Sequence, residues 1–155
     1  YMNIGSGIQP FNAWLLIRGL RTLPARLDRI NASTKKVVDY IKHHPKVESI
    51  IFPFDESFPQ YELAKKQMKE ACGLFTFIIK ADNITQIENF CNNLQHIFMA
   101  VSWGGHESLI IPKCSGIAPE SFDANNKEHR MLRLYVGLEE PEYLIKDMEQ
   151  AFEKM

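Results

Sequence analysis

Neither sign of charge dominates this sequence, and it contains little cysteine. Eighteen Lys and Arg stand against nineteen Asp and Glu, a formal net charge of −1. Such a balance gives no electrostatic reason to bind nucleic acid or an anionic membrane surface. No apolar run approaches the roughly 20 residues that cross a bilayer, and the first residues show no basic-then-apolar pattern of a secretion signal. Cys72, Cys91 and Cys114 are an odd set without C-x-x-C spacing. They argue against a disulfide framework or a zinc site and predict buried, reduced thiols in a cytoplasmic protein. The five histidines include no H-x-x-x-H or H-E-x-x-H pair, so surface positions are expected for them rather than metal ligation. A P-loop, a G-x-G-x-x-G turn and a nucleophile elbow are missing as well. Internal repeats and low-complexity tracts are absent.

What remains is an ordinary globular composition, 45% hydrophobic and 24% charged over 155 residues, enough for one domain with its own core. Residues 1–9 are small and polar and are expected to form an arm or linker, leaving 10–155 as the domain. Pro10 suits the first turn of a helix through "FNAWLLIRGL", with Phe11, Trp14, Leu15 and Leu20 on one side. Pro24 predicts a break or restart near "GLRTLP". From there Leu27, Ile30, Val37, Val38 and Ile41 keep helical spacing until "HHP". Strands are predicted at "VESIIF", "GLFTFIIK" and "HIFMAVSW", with a short extended run at "ESLII" and a cleanly alternating strand at "RMLRLYVG". Helices are predicted at "YELAKKQMK", at "ITQIENFCNNL" with Ile84, Ile87, Cys91 and Leu94 on one stripe, and at "PEYLIKDMEQAF" with Leu144, Ile145, Met148 and Phe152. Residues 113–129 read as a polar loop. Phe75, Phe77, Phe90 and Phe98 are expected in the core, because no basic patch accompanies them as it would on a base-stacking platform. The pattern predicts an α/β fold, an α+β sandwich whose mostly antiparallel sheet carries helices on one face.

Two places carry candidate chemistry. Arg133 sits mid-strand at the parity opposite Leu132, Leu134 and Val136, so it leaves the core face beside Tyr135. Its planar fork suits a carboxylate or phosphate. A solvated strand arginine, or one paired with a carboxylate such as Glu107, fits the same spacing. The second place is Ser102-Trp103-Gly104-Gly105. Glycines at a strand end permit a bulge or a close backbone approach that bares N–H groups beside the Ser102 hydroxyl. A glycine hairpin between "IFMAV" and "ESLII" is equally consistent with the spacing.

The blocks "PFNAWLLIRGLRTLPARL", "HPKVESIIFP", "GLFTFIIK", "FMAVSWGGHESLI" and "MLRLYVGLEEPEYLIKDM" stand in the order and spacing of one family. From about Pro10 to its end the chain resembles the C-terminal portion of the pyridoxal-phosphate enzymes of cysteine and methionine metabolism, the cystathionine lyases and synthases and their relatives. The resemblance implies the C-terminal domain of an aminotransferase-like, fold type I enzyme, whose larger N-terminal domain holds the cofactor on a Schiff-base lysine. It implies that Arg133, in an "L-R-L-x-x-G-x-E" block, binds the α-carboxylate of a sulfur amino-acid substrate. Ser102, opening an "S-x-G-G-x-E-S-L" block, would help fix that carboxylate, and Trp103 would line the same wall. Trp103 is similar to what bacterial cystathionine β-lyases carry, where many γ-synthases and γ-lyases have leucine. "IIPKCSG", in place of an "HPA-x-M-T-H" run, points the same way. The alternatives are a γ-synthase, a γ-lyase, a sulfhydrylase, or a free-standing binding module without a catalytic half. Intact relatives are usually homotetramers.

One departure shapes the expectation for the chain by itself. Only nine residues precede the Pro10 block and none is lysine, and the phosphate-binding glycine loop of the large domain does not occur. The chain alone is therefore expected neither to hold pyridoxal phosphate through a Schiff base nor to turn over substrate.

Overall fold

The computed structural model describes residues 7–155. Of the arm expected over 1–9, residues 1–6 lie outside the described residues, and 7–9 are exposed coil leading into the first helix. Helix α1 spans Pro10–Arg21 and α2 spans Leu23–His43. The restart falls where Pro24 cannot donate to the Leu20 carbonyl one turn back. The neighbouring Gly19 carbonyl at the end of α1 is capped locally: Thr22 Oγ1 donates to it at 3.2 Å and Arg26 Nη2 at 2.9 Å. Then follow β1 (Val47–Ile51), α3 (Tyr61–Gln67), β2 (Leu74–Ile79), α4 (Ile84–Asn93), β3 (Phe98–Met99), β4 (Leu109–Pro112), β5 (Met131–Tyr135) and α5 (Pro141–Glu153). Two 3-10 turns, Pro119–Ser121 and Lys127–Arg130, shape the loop between β4 and β5.

The strands form one sheet in the order β1-β2-β5-β4-β3, antiparallel except for the β3–β4 pair, which is parallel. This parallel pair corrects two expectations. The strand predicted over 96–103 is cut to Phe98–Met99, and no glycine hairpin joins it to β4. The physical cause lies one element away. Asp147, buried on α5, accepts hydrogen bonds from the backbone N–H groups of Gln95, His96 and Ile97 at 2.8, 2.9 and 3.1 Å. That carboxylate satisfies donors that would otherwise seek a strand partner and turns the chain at the end of α4. Phe98, expected in the core, lies on the sheet edge and is exposed.

Helices α2, α4 and α5 cover one face. Most of each predicted stripe is buried, Ile30, Val37, Val38 and Ile41 on α2, Ile84, Ile87 and Cys91 on α4, Leu144, Met148 and Phe152 on α5, while Leu27, Leu94 and Ile145 at their margins are half-buried. Beneath them Phe75 and Phe77 of β2, Ile110 of β4, and Leu132 and Leu134 of β5 point from the sheet into the core. Aromatic rings run through it in sequence, Phe52–Phe75–Phe77–Phe90–Phe152, with neighbouring centroids 6.1, 6.3, 6.3 and 4.4 Å apart. Each ring removed from water contributes on the order of 1.5–3 kcal/mol. Helix α1 differs from the other helices. Phe11, Trp14, Leu15 and Leu20, expected to lie along one side, are all exposed, and no residue of α1 is buried. Cys91 and Cys114 are buried as predicted, whereas Cys72 is exposed. Burial, with Cys114 nearby, pushes the Cys91 thiol up to about 12, so it stays protonated.

Candidate functional site

The sheet face opposite the helices carries the second set of side chains that the alternation of β5 predicts. Across it, Thr76 of β2, Arg133 of β5 and Ile111 of β4 stand in register, with Leu74, Tyr135 and Leu109 in the next row. Arg133 is half-buried in the middle of this face. It lines a recess of about 380 Å³ together with Thr76, Ile111, Pro112, Lys113, Ser115 and Met131. Lys113 is already paired with Glu128 at 2.6 Å, so Arg133 is the cation of the recess without a carboxylate among the described residues. The expected alternative partner, Glu107, turns elsewhere and pairs with His106 at 2.9 Å.

Arg133 is nevertheless held in place. Its Nη2 donates to the main-chain carbonyl of Val101, the residue before Ser102. Its other guanidinium N–H groups have no partner among the described residues. Fixing one prong on a backbone oxygen orients the planar fork and leaves donors for an anion. The segment 100–107 thus crosses the open face next to Arg133, bringing together two features that are distant in sequence.

Ser102, Trp103 and Gly104 are exposed on that segment, Trp103 at 61%. Gly104 has φ +91°, a left-handed conformation that glycine adopts without a Cβ penalty. Trp103 and Gly104 line a second recess of about 190 Å³ with Tyr135, Leu74 and, from α2, Arg26 and Leu27. Tyr135 Oη donates to the Gly105 carbonyl at 3.1 Å. Burial above all, with the nearby Glu107 and Glu139 carboxylates adding to it, pushes its phenol above the usual tyrosine range, so that it is a neutral donor at physiological pH. Arg133 and Tyr135, neighbours on the outward parity of β5, therefore grip the same segment at Val101 and Gly105.

Three contributors carry no motif in the sequence: Tyr135 as a donor, Asp147 as an anchor, and Ser108, which is completely buried and bonded to Glu139 at 2.7 and 2.8 Å. Asp147 had a visible signal, an acidic residue on the buried side of α5 between Leu144 and Met148. Among the described residues no group of three or more His, Cys, Asp or Glu is placed to hold a metal, and no helix is long and apolar enough to cross a membrane.

The family model described as Cys/Met metabolism PLP-dependent enzyme matches residues 1–153. An L-methionine gamma-lyase of Treponema denticola is 39% identical over 97% of this chain and 38% of its own length. A cystathionine beta-lyase of Lactococcus lactis subsp. cremoris is 32% identical over 98% of this chain and 40% of its own length. Among solved structures, a Campylobacter jejuni protein described as an O-acetylhomoserine (thiol)-lyase, carrying N'-pyridoxyl-lysine-5'-monophosphate, superposes with a TM-score of 0.81 at 30% identity, over 98% of this chain and 37% of that one. The chain thus spans about two fifths of the length of the relatives it matches.

Proposed function

The chain belongs to the Cys/Met-metabolism PLP-dependent enzymes, and from that membership we propose that residues 10–155 are the C-terminal, substrate-binding domain of a carbon–sulfur lyase. The observation that carries this is the pre-oriented, carboxylate-free Arg133 in the recess on the open face of the sheet. Arg133 holds the α-carboxylate of a sulfur amino acid through the N–H groups left free beside the Val101 bond. Ser102 adds its hydroxyl and N–H to the same anion. Trp103 and the glycines form the neighbouring wall, on the segment that the Arg133–Val101 bond holds against the sheet. Two N–H···O bonds in one plane fix the position and plane of the substrate carboxylate, so that once the amine is held as well the direction of the Cα–H bond is set.

The residues of this chain fit that substrate anion and do not fit the cofactor. The amine in the recess, Lys113, is paired with Glu128, and the one cation among the described residues lining the recess at Gly104, Arg26, already donates to Thr22 Oγ1 and the Gly19 carbonyl. When bound, pyridoxal phosphate supplies an electron sink for the charge left at Cα. We assign its binding, and that of the catalytic lysine, to an N-terminal domain outside this chain, so that the chain alone is inactive. The intact protein is then a cytoplasmic enzyme, a homotetramer as its resemblance implies.

Trp103 and the "IIPKCSG" run favour β-elimination. The higher identity to a methionine gamma-lyase, 39% against 32% for the beta-lyase, favours γ-elimination. Incubating the intact protein with L-cystathionine separates them. Cleavage on the β side gives pyruvate, ammonia and homocysteine; cleavage on the γ side gives 2-oxobutyrate, ammonia and cysteine. We expect pyruvate. Release of 2-oxobutyrate instead moves the enzyme to the γ-lyases. Absence of both products, with bound cystathionine detected by calorimetry, replaces the lyase with a binding module.

A further inference from the structure

Ser108 is a node at which both ends of the 100–107 segment meet. Its carbonyl accepts from Phe98 N at 3.2 Å, joining β3 to the start of β4. Its N–H and Oγ–H donate to the two carboxylate oxygens of Glu139 at 2.7 and 2.8 Å, and its Oγ accepts from Gly137 N at 2.9 Å. One step away, Leu138 N donates to the His106 carbonyl at 2.8 Å. The two backbones meet too closely for a side chain: a Cβ on Gly137 would lie 2.3 Å from the His106 oxygen and 2.6 Å from Glu139 Oε2. From the other side, Arg29 of α2 donates to the Leu138 and Glu139 carbonyls at 3.4 and 3.2 Å and pairs with Glu140 at 2.9 Å.

Neither Ser108 nor Glu139 lines the Arg133 recess, yet the segment they root crosses the outward side of β5, where its Val101 carbonyl accepts from Arg133 and its Gly105 carbonyl from Tyr135. Resting on the assignment of Arg133 as the carboxylate clamp, we infer that Glu139, acting through Ser108, is a positioning residue that sets where Ser102 and Trp103 stand relative to the guanidinium. A carboxylate suits this role because one group accepts both donors of a buried serine, whose Oγ then receives the Gly137 amide. Loss of it leaves the Ser108 N–H buried and unpaired and frees the root of the segment.

The test is a double-mutant cycle in the intact enzyme that carries this chain. Glu139→Ala, Glu139→Gln and Ser108→Ala are each made in the wild-type and Arg133→Lys backgrounds, and steady-state kinetics and amide hydrogen exchange at 102–105 are measured. Glu139→Ala is expected to raise KM about tenfold with kcat changed less than about threefold, the pattern of lost uniform binding. Exchange at 102–105 accelerates, Glu139→Gln recovers part of the KM, and in the Arg133→Lys background the further rise is under about twofold. Should Glu139→Ala fail to fold, Glu139→Gln and Ser108→Ala complete the cycle. Fully additive effects on KM, or faster exchange with unchanged KM, overturn the positioning role, as does unchanged exchange. An Arg133→Lys enzyme with wild-type KM instead removes the clamp assignment itself, so the two failures are told apart.

Discussion

The two faces of this sheet are made by the same strands and follow opposite rules. On the helix-covered face, Phe77, Leu132 and Leu134 are at most 1% exposed and contact other apolar side chains. On the open face, the adjacent positions Thr76, Arg133 and Tyr135 are held by hydrogen bonds to a neighbouring loop or line a recess. Stability resides in one face and recognition in the other, and a period of two residues separates them. Changes on the covered face should therefore alter folding and leave the site's chemistry alone, whereas changes on the open face should do the reverse.

The largest expected effect is on the covered face. Phe77→Ala removes a fully buried ring touching Phe75 and Phe90 and should cost about 3–5 kcal/mol of stability in denaturant unfolding. A loss below 1 kcal/mol would show that the ring is not part of a packed core. Next, Arg133→Lys keeps the charge and loses the fork. Removing a charge-assisted hydrogen bond, about 1.5–3 kcal/mol, should raise KM of the intact enzyme by roughly ten- to a hundredfold while the unfolding midpoint barely moves. An equal loss of stability would erase the distinction between the faces.

Trp103→Ala comes third. The ring is exposed, so stability should change by less than about 0.5 kcal/mol, with altered product partition or KM in the intact enzyme as the readout; a large drop in melting temperature would contradict the open face. The smallest effect concerns the rim of the core. His44 stacks on Phe152 with centroids 3.9 Å apart, and its pKa is lowered, first by burial and then by Lys46. A folded-state pKa below the unfolded value means the native state resists taking the proton. This contribution is complete above the unfolded histidine pKa of about 6.5 and is lost as pH falls through the lower folded value. A slight fall of the urea midpoint below neutral pH, absent in His44→Asn, is the expected result.

Periodicity made the covered face legible. Stripes at helical spacing in α2, α4 and α5, and alternation in β5, identify core residues because burial demands apolar side chains at those intervals. Arg133 was legible for the same reason, as the polar residue on the wrong side of an alternating strand. The 96–103 segment was not. Its run of apolar residues satisfies a strand pattern, yet Asp147, some fifty residues later in the chain, takes its first two backbone donors together with that of Gln95 just before it. The exposure of Phe98 and of the α1 stripe was equally hidden, since apolar spacing says that a face exists and not whether this chain covers it.

By itself the sequence determined the order of elements, the helix restart at Pro24, the two sides of β5 and, through its ordered blocks, the family. Tertiary structure decided the parallel placement of β3, the meeting of Val101 with Arg133, and the union of Ser108 with Glu139. The physical reason is the range of the forces involved. Backbone preferences and apolar periodicity act over a few residues and are written locally, whereas a hydrogen bond between distant segments exists only after the core has brought them together.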